Sequence, residues 1–112
     1  MHYPIEAIPP QAELDGMAVS CTTLPRGFDF DLMFRGLPNN VCPCPHWGYL
    51  LKGRITVKYD DGSHEEIKAG EVYYLKAGHT ASNDEDCVSI DFSPIGPWQQ
   101  LMQHLAATTQ AV

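Results

Sequence analysis

The run Cys42-Pro43-Cys44-Pro45-His46 places three reactive side chains at every second position. In an extended chain, residues two apart point to the same face, so Cys42, Cys44 and His46 are expected to project together. Pro43 and Pro45 cannot donate to a β-ladder and favour a polyproline path, so the segment is expected at an edge or in a loop. Their fixed φ also lowers the entropy cost of presenting the three side chains. Three readings stand for the cluster. Thiolates and an imidazole can hold a metal ion. Buried thiols and a hydrogen-bonded histidine can simply fill a core. Cys42 and Cys44 can form a redox pair, though a bridge across one residue is strained. Two sulfurs spaced Cys-x-Cys also need a bent backbone to reach one ion.

The elements around this run read as β-structure. Phe28–Phe34 alternates Phe28, Phe30, Leu32 and Phe34 with Asp29, Asp31 and Met33, the pattern expected of a strand with an apolar inner face and a solvated outer one. Strands are also expected at Met17–Thr22, Gly48–Lys52, Arg54–Tyr59, His64–Lys68, Val72–Lys76 and Val88–Phe92. Turn signals separate them: Leu24-Pro25-Arg26-Gly27, Gly53, Asp60-Asp61-Gly62-Ser63, Ala69-Gly70 and Ala77-Gly78, with a polar loop over Asn83–Asp86. Short strands at short intervals are the signature of a sandwich or barrel. The end of the chain changes period. Trp98, Leu101, Met102 and Leu105 recur at helical spacing behind Pro97, which predicts a helix that lids the β-structure. His104 falls off that stripe and receives no role. Residues 1–16, broken by Pro4, Pro9 and Pro10, read as an extended arm. The expected organisation is an arm over 1–16, a β-domain over 17–95, and a helix and tail over 96–112.

The totals set further bounds. The 112 residues suffice for one core, and an apolar share of 44% with 19% charged is globular rather than disordered. A net charge of −7 with no basic run argues against a nucleic-acid partner and against an anionic membrane surface. The first residues have neither a basic start nor an apolar run, and no stretch approaches a membrane span, so a cytoplasmic location is expected. Four cysteines in such a setting read as thiols or ligands before disulfides, with Cys21 and Cys87 structural. His64 and Lys76 are expected in solvent, although a buried Lys76 would hold a carboxylate.

Two segments together resemble the cupin family. The frame Asn40-x-Cys42-x3-His46-x6-Gly53 follows the spacing of its first motif, and Gly70-x5-Lys76-Ala77-Gly78-His79-Thr80-Ala81-x3-Glu85 follows its second. The resemblance spans roughly residues 36–92. It implies an all-β, cupin-type jelly-roll β-barrel, here with a short C-terminal helix, often holding a divalent metal. It also implies a homodimer, with residues 1–16 available to cross between subunits. At the four positions that ligate metal in such proteins this chain has Asn40, Cys42, His46 and Ala81, so the usual three histidines and one glutamate are absent. His79 lies two residues before Ala81, on the same strand face, and is placed to reach the pocket from the second motif. Cys42, Cys44, His46 and His79 would then form a set of two sulfurs and two nitrogens. Such donors favour a divalent transition metal, zinc ahead of metals that prefer oxygen.

Two functions follow from this reading. One is a metal-dependent enzyme acting on a small polar organic molecule such as a keto acid, a thiol or a sugar derivative. The other is a binding or sensing cupin without a catalytic metal. Three protein ligands and an open position would mark the first, and four ligands would close the site. Trp47, Tyr49, Tyr73 and Tyr74 are expected in the core or at a dimer interface rather than as substrate platforms.

Overall fold

The structure is a computed structural model and describes residues 2–9 and 12–110. Among the described residues, eight strands and two α-helices follow one another: β1 (Ala12–Leu14), β2 (Met17–Leu24), α1 (Phe30–Phe34), β3 (His46–Lys52), β4 (Arg54–Tyr59), β5 (His64–Lys68), β6 (Val72–Leu75), β7 (His79–Ser82), β8 (Cys87–Pro94) and α2 (Ile95–Gln110). They form a five-stranded sheet in the order β1-β2-β8-β3-β6 and a three-stranded sheet in the order β5-β4-β7. Every pairing is antiparallel.

Local chemistry explains the hairpins. Asp15 and Gly16 both take positive φ, 48° and 86°, the turn that matches the twist of β1 and β2. Between β4 and β5, Gly62 takes φ 91°, and the Asp61 carboxylate accepts from the Ser63 amide at 2.8 Å. Residues 12–14 of the Pro-rich start therefore pair as an edge strand with β2.

The sheets pack face to face. Leu50, Val57, Ile67, Leu75 and Cys87 fill the space between them, drawn from β3, β6 and β8 on one side and β4 and β5 on the other. A second cluster lies against the helices: Phe30, Phe34, Cys42, Cys44 and Leu101, with Trp98, Met102 and Leu105 packed on it. The stripe on α2 is thus a lid, and burying Leu101 alone stabilises it by roughly 1.5–3 kcal/mol. His104 is half-buried near Gly36, where a Cβ would meet its Cε1 at 3.3 Å.

The strand expected at Phe28–Phe34 is not formed, and a single helical turn, α1, stands there instead. Phe30 and Phe34 satisfy an i, i+4 spacing as well as an alternation, and both are buried, whereas Leu32 is 51% exposed. Asp29 caps the turn by accepting from the Leu32 amide at 3.0 Å. Conversely, β7 occupies a stretch where the turn at Ala77-Gly78 gave no expectation of a strand. Val57 and its neighbours in β4 supply its partners.

Candidate metal centre

Cys42 and His79 are brought together by two backbone hydrogen bonds. The Cys42 amide donates to the His79 carbonyl at 2.7 Å, and the Gly78 amide donates to the Cys42 carbonyl at 2.8 Å. The pairing is a single bridge, and Pro43, lacking an N–H, cannot prolong it. The chain runs on through Cys44 to His46 at the start of β3. Cys42 and Cys44 are fully buried while Pro43 is exposed, so the shared face expected for the run is present.

Cys42 Sγ lies 3.6 Å from His46 Nε2, and the His46 and His79 rings meet edge to face at 5.1 Å. The ligating atoms of Cys42, His46 and His79 all fall within 4.8 Å of one another. Cys44 is not in this group: its Sγ is 3.4 Å from the Pro45 carbonyl oxygen. Of the two other positions marked by motif spacing, Asn40 is exposed, with its side chain accepting from the Gly36 amide at 3.2 Å. Ala81 lines the cavity without a ligating atom.

The far side of each imidazole is held by the scaffold. His79 Nδ1 lies 2.8 Å from the Lys76 carbonyl. A carbonyl only accepts, so Nδ1 carries the proton and Nε2 keeps its lone pair. His46 Nδ1 lies 2.7 Å from Ser93 Oγ, which leaves His46 Nε2 facing Cys42. Oriented imidazoles of this kind are the usual outer shell of a metal site.

Burial sets the charge states of the metal-free site. It pushes the Cys42 thiol up to about 12, with the neighbouring Cys44 a smaller influence. Burial, and then His79, brings His46 down to about 3. Burial also lowers His79, against the hydrogen bond it donates to the Lys76 carbonyl. Cys44 rises to about 11, again through burial, opposed by the Ser93 hydroxyl. The centre is therefore a neutral thiol beside neutral imidazoles, and a cation would bind with loss of the thiol proton.

The three residues open onto a cavity of about 140 Å³ between the sheets and α2. Its polar lining was not anticipated from the sequence. Ser89, Asp91 and Ser93 of β8 share the inward face, while Val88, Ile90 and Phe92 take the other. The signal was the inverted alternation of β8, whose polar residues fall on the parity of buried Cys87. Tyr73, expected in a core or interface, lines the cavity and donates its hydroxyl to Asp91. Lys76 stays outside, with Nζ 2.7 Å from Asp61 at the surface.

No protein-family profile matches the sequence, and no curated protein matches it. Solved structures do match. A protein with a double-stranded β-helix domain from Klebsiella pneumoniae superposes with a TM-score of 0.58 at 16% identity, covering 85% of this chain and 84% of that one. A cupin superfamily protein from Desulfitobacterium hafniense gives 0.54 at 11% identity, covering 74% and 71%. A cupin-2 domain protein from Shewanella frigidimarina gives 0.52 at 16% identity, covering 74% of each chain. The chain has the cupin fold. Within it, the ligating atoms of Cys42, His46 and, from β7, His79 lie together. No helix among the described residues is long and apolar enough to cross a membrane.

Proposed function

We propose that this cupin holds a divalent transition metal on Cys42, His46 and His79 and binds or acts on a small polar organic molecule in the adjoining cavity. The observation that carries the reading is the 3.6 Å between Cys42 Sγ and His46 Nε2. Tetrahedral zinc with Zn–S near 2.3 Å and Zn–N near 2.05 Å separates its sulfur and nitrogen by about 3.6 Å. The donor types, the oriented imidazoles and the protonated Nδ1 of His79 fit the same ion, and thiolate with imidazole favours zinc among the candidates. When bound, the metal supplies Lewis acidity or lowers the pKa of a water. The chain's own residues hold the donors in place, bury them from bulk water beneath α2, and open them onto the cavity.

In this reading the two sheets are the walls of the jelly-roll barrel, and the active unit is a homodimer. The exposed aromatics Trp47, Tyr49, Tyr74 and Phe92 support that, since they form an apolar outer face on β3, β6 and β8. All four cysteines are free, which suits a reducing cytoplasm.

Metal content of untagged protein, by inductively coupled plasma mass spectrometry with free thiols counted alongside, tests the proposal. Near-stoichiometric zinc, lost in Cys42→Ser and in His46→Ala, is the expected result. Cys44→Ser separates the enzyme from the closed binding module: retained metal means three ligands and an open position, and lost metal means four. A metal-free protein indifferent to added zinc would leave the non-catalytic binding module.

A further inference from the structure

The cavity that takes in the three donors also holds a polar cluster for which the metal reading has no task. Asp91 on β8 is its centre. Tyr73 donates its hydroxyl to Asp91 Oδ1, and Ser89 Oγ donates to Oδ2 at 3.0 Å. All three side chains line the cavity. Burial holds the Asp91 carboxyl above the usual carboxylate range, opposed by those two hydrogen bonds.

The cluster is built rather than incidental. Tyr73 crosses Gly48 of β3, where a Cβ would lie 2.5 Å from its Cζ and hydroxyl and 2.4 Å from the Ile90 carbonyl oxygen. Only glycine lets the ring reach Asp91. A carboxylate offers about four acceptor positions, and Tyr73 and Ser89 take two, so acceptor capacity remains for a ligand.

The rest of the cavity defines that ligand. Among the described residues lining it there is no lysine or arginine, and Leu50, Ile55, Met33 and Leu75 make much of its wall. Its volume of about 140 Å³ is close to the ~150 Å³ of an apolar cavity that takes one benzene. An incoming carboxylate would meet a buried carboxyl and no side-chain cation, at the cost of desolvating a like charge. A hydroxyl or amino head with a short apolar tail would instead donate to Asp91 and bury its tail.

We propose that Asp91, seated by Tyr73 and Ser89, is the specificity-determining acceptor of this cavity, selecting small apolar-tailed alcohols or amines over carboxylates. The inference rests on the small-molecule half of the proposed function and not on the metal.

The test is therefore run on chelator-treated, metal-free protein, with n-butanol, n-butylamine and butyrate as probes and backbone amide shifts as the readout. Butanol and butylamine are expected to bind at least about tenfold more tightly than butyrate, the weight of one hydrogen bond to a charged group. The shifts should centre on Tyr73, Ser89 and Asp91, and Asp91→Asn should collapse the ranking. Equal binding of butyrate, a ranking that survives Asp91→Asn, or no binding of any probe overturns the inference. Should Asp91→Asn fail to fold, the wild-type ranking and the location of the shifts decide it. Metal content, measured separately, tells failure of the metal reading apart from failure of this one.

Discussion

His46 meets Cys42 through Nε2 and the scaffold through Nδ1, so in the proposed metal site its orientation depends on Ser93. Ser93→Ala leaves all three donors in place and removes only the group that fixes the ring. Metal affinity is expected to fall 10- to 100-fold, read by competition with a chromophoric chelator, and an unchanged affinity would show that the ring needs no such support. The same burial gives the histidine a signature in folding. His46 titrates near 6.5 when unfolded and is brought down to about 3 in the folded chain. Between these values the unfolded state binds the extra proton, so His46 lowers stability as the pH falls from 6.5 towards 3, by at most about 1.4 kcal/mol per unit. Asp91, raised by burial, acts in the opposite sense, which makes the comparison with His46→Gln the informative one. Urea midpoints in chelator at pH 7, 6 and 5 should fall less steeply for the variant, and parallel curves would contradict the assignment.

At the level of elements, β8 does more than complete a sheet. Its inward parity carries Cys87 into the core, Ser89 and Asp91 into the cavity, and Ser93 onto the His46 ring. The neighbouring strand β3 makes room through Gly48. Gly48→Ala is expected to cost about 1–3 kcal/mol, because the Ile90 carbonyl cannot move aside without breaking the β3–β8 ladder. The urea midpoint measures it, and a wild-type midpoint would mean that Tyr73 is not seated as described. The α1 turn shows why one reading of this region failed. Phe28, Phe30, Leu32 and Phe34 alternate, but the Asp29 cap and the shared burial of Phe30 and Phe34 against Leu101 outweigh a pattern that is also compatible with a helix.

For the whole molecule, the division of faces matters most. The inner faces of the sheets hold the core and the cavity, while the outer face of the larger sheet leaves Trp47, Tyr49, Val72, Tyr74 and Phe92 exposed. Trp47 stacks on Tyr74 at 4.9 Å and faces Phe92 across the β3–β8 pairing, so the apolar residues are continuous. Light scattering after size exclusion is expected to give twice the mass of the chain, shifting towards one chain in Trp47→Lys. A single-chain mass for wild type at micromolar concentration would remove the dimer.

The β4–β5 hairpin, the lid helix and the cupin-like spacing from Asn40 to Glu85 were legible in the sequence, because turn residues, period and glycine spacing are local properties, whereas the β1–β2 hairpin inside the Pro-rich start was not. Residue type and parity also singled out Cys42, His46 and His79, whose ligating atoms the structure brings within 4.8 Å of one another. What could not be read there depends on contacts between distant segments. The bridge between Cys42 and His79 selects which thiol faces the imidazoles and leaves Cys44 on the Pro45 carbonyl. The pairing of β8 between β3 and β2 turns Ser89 and Asp91 into part of the polar wall of a cavity. Pairing partners and enclosure exist only once the sheets have met, and no window of sequence contains both sides of either.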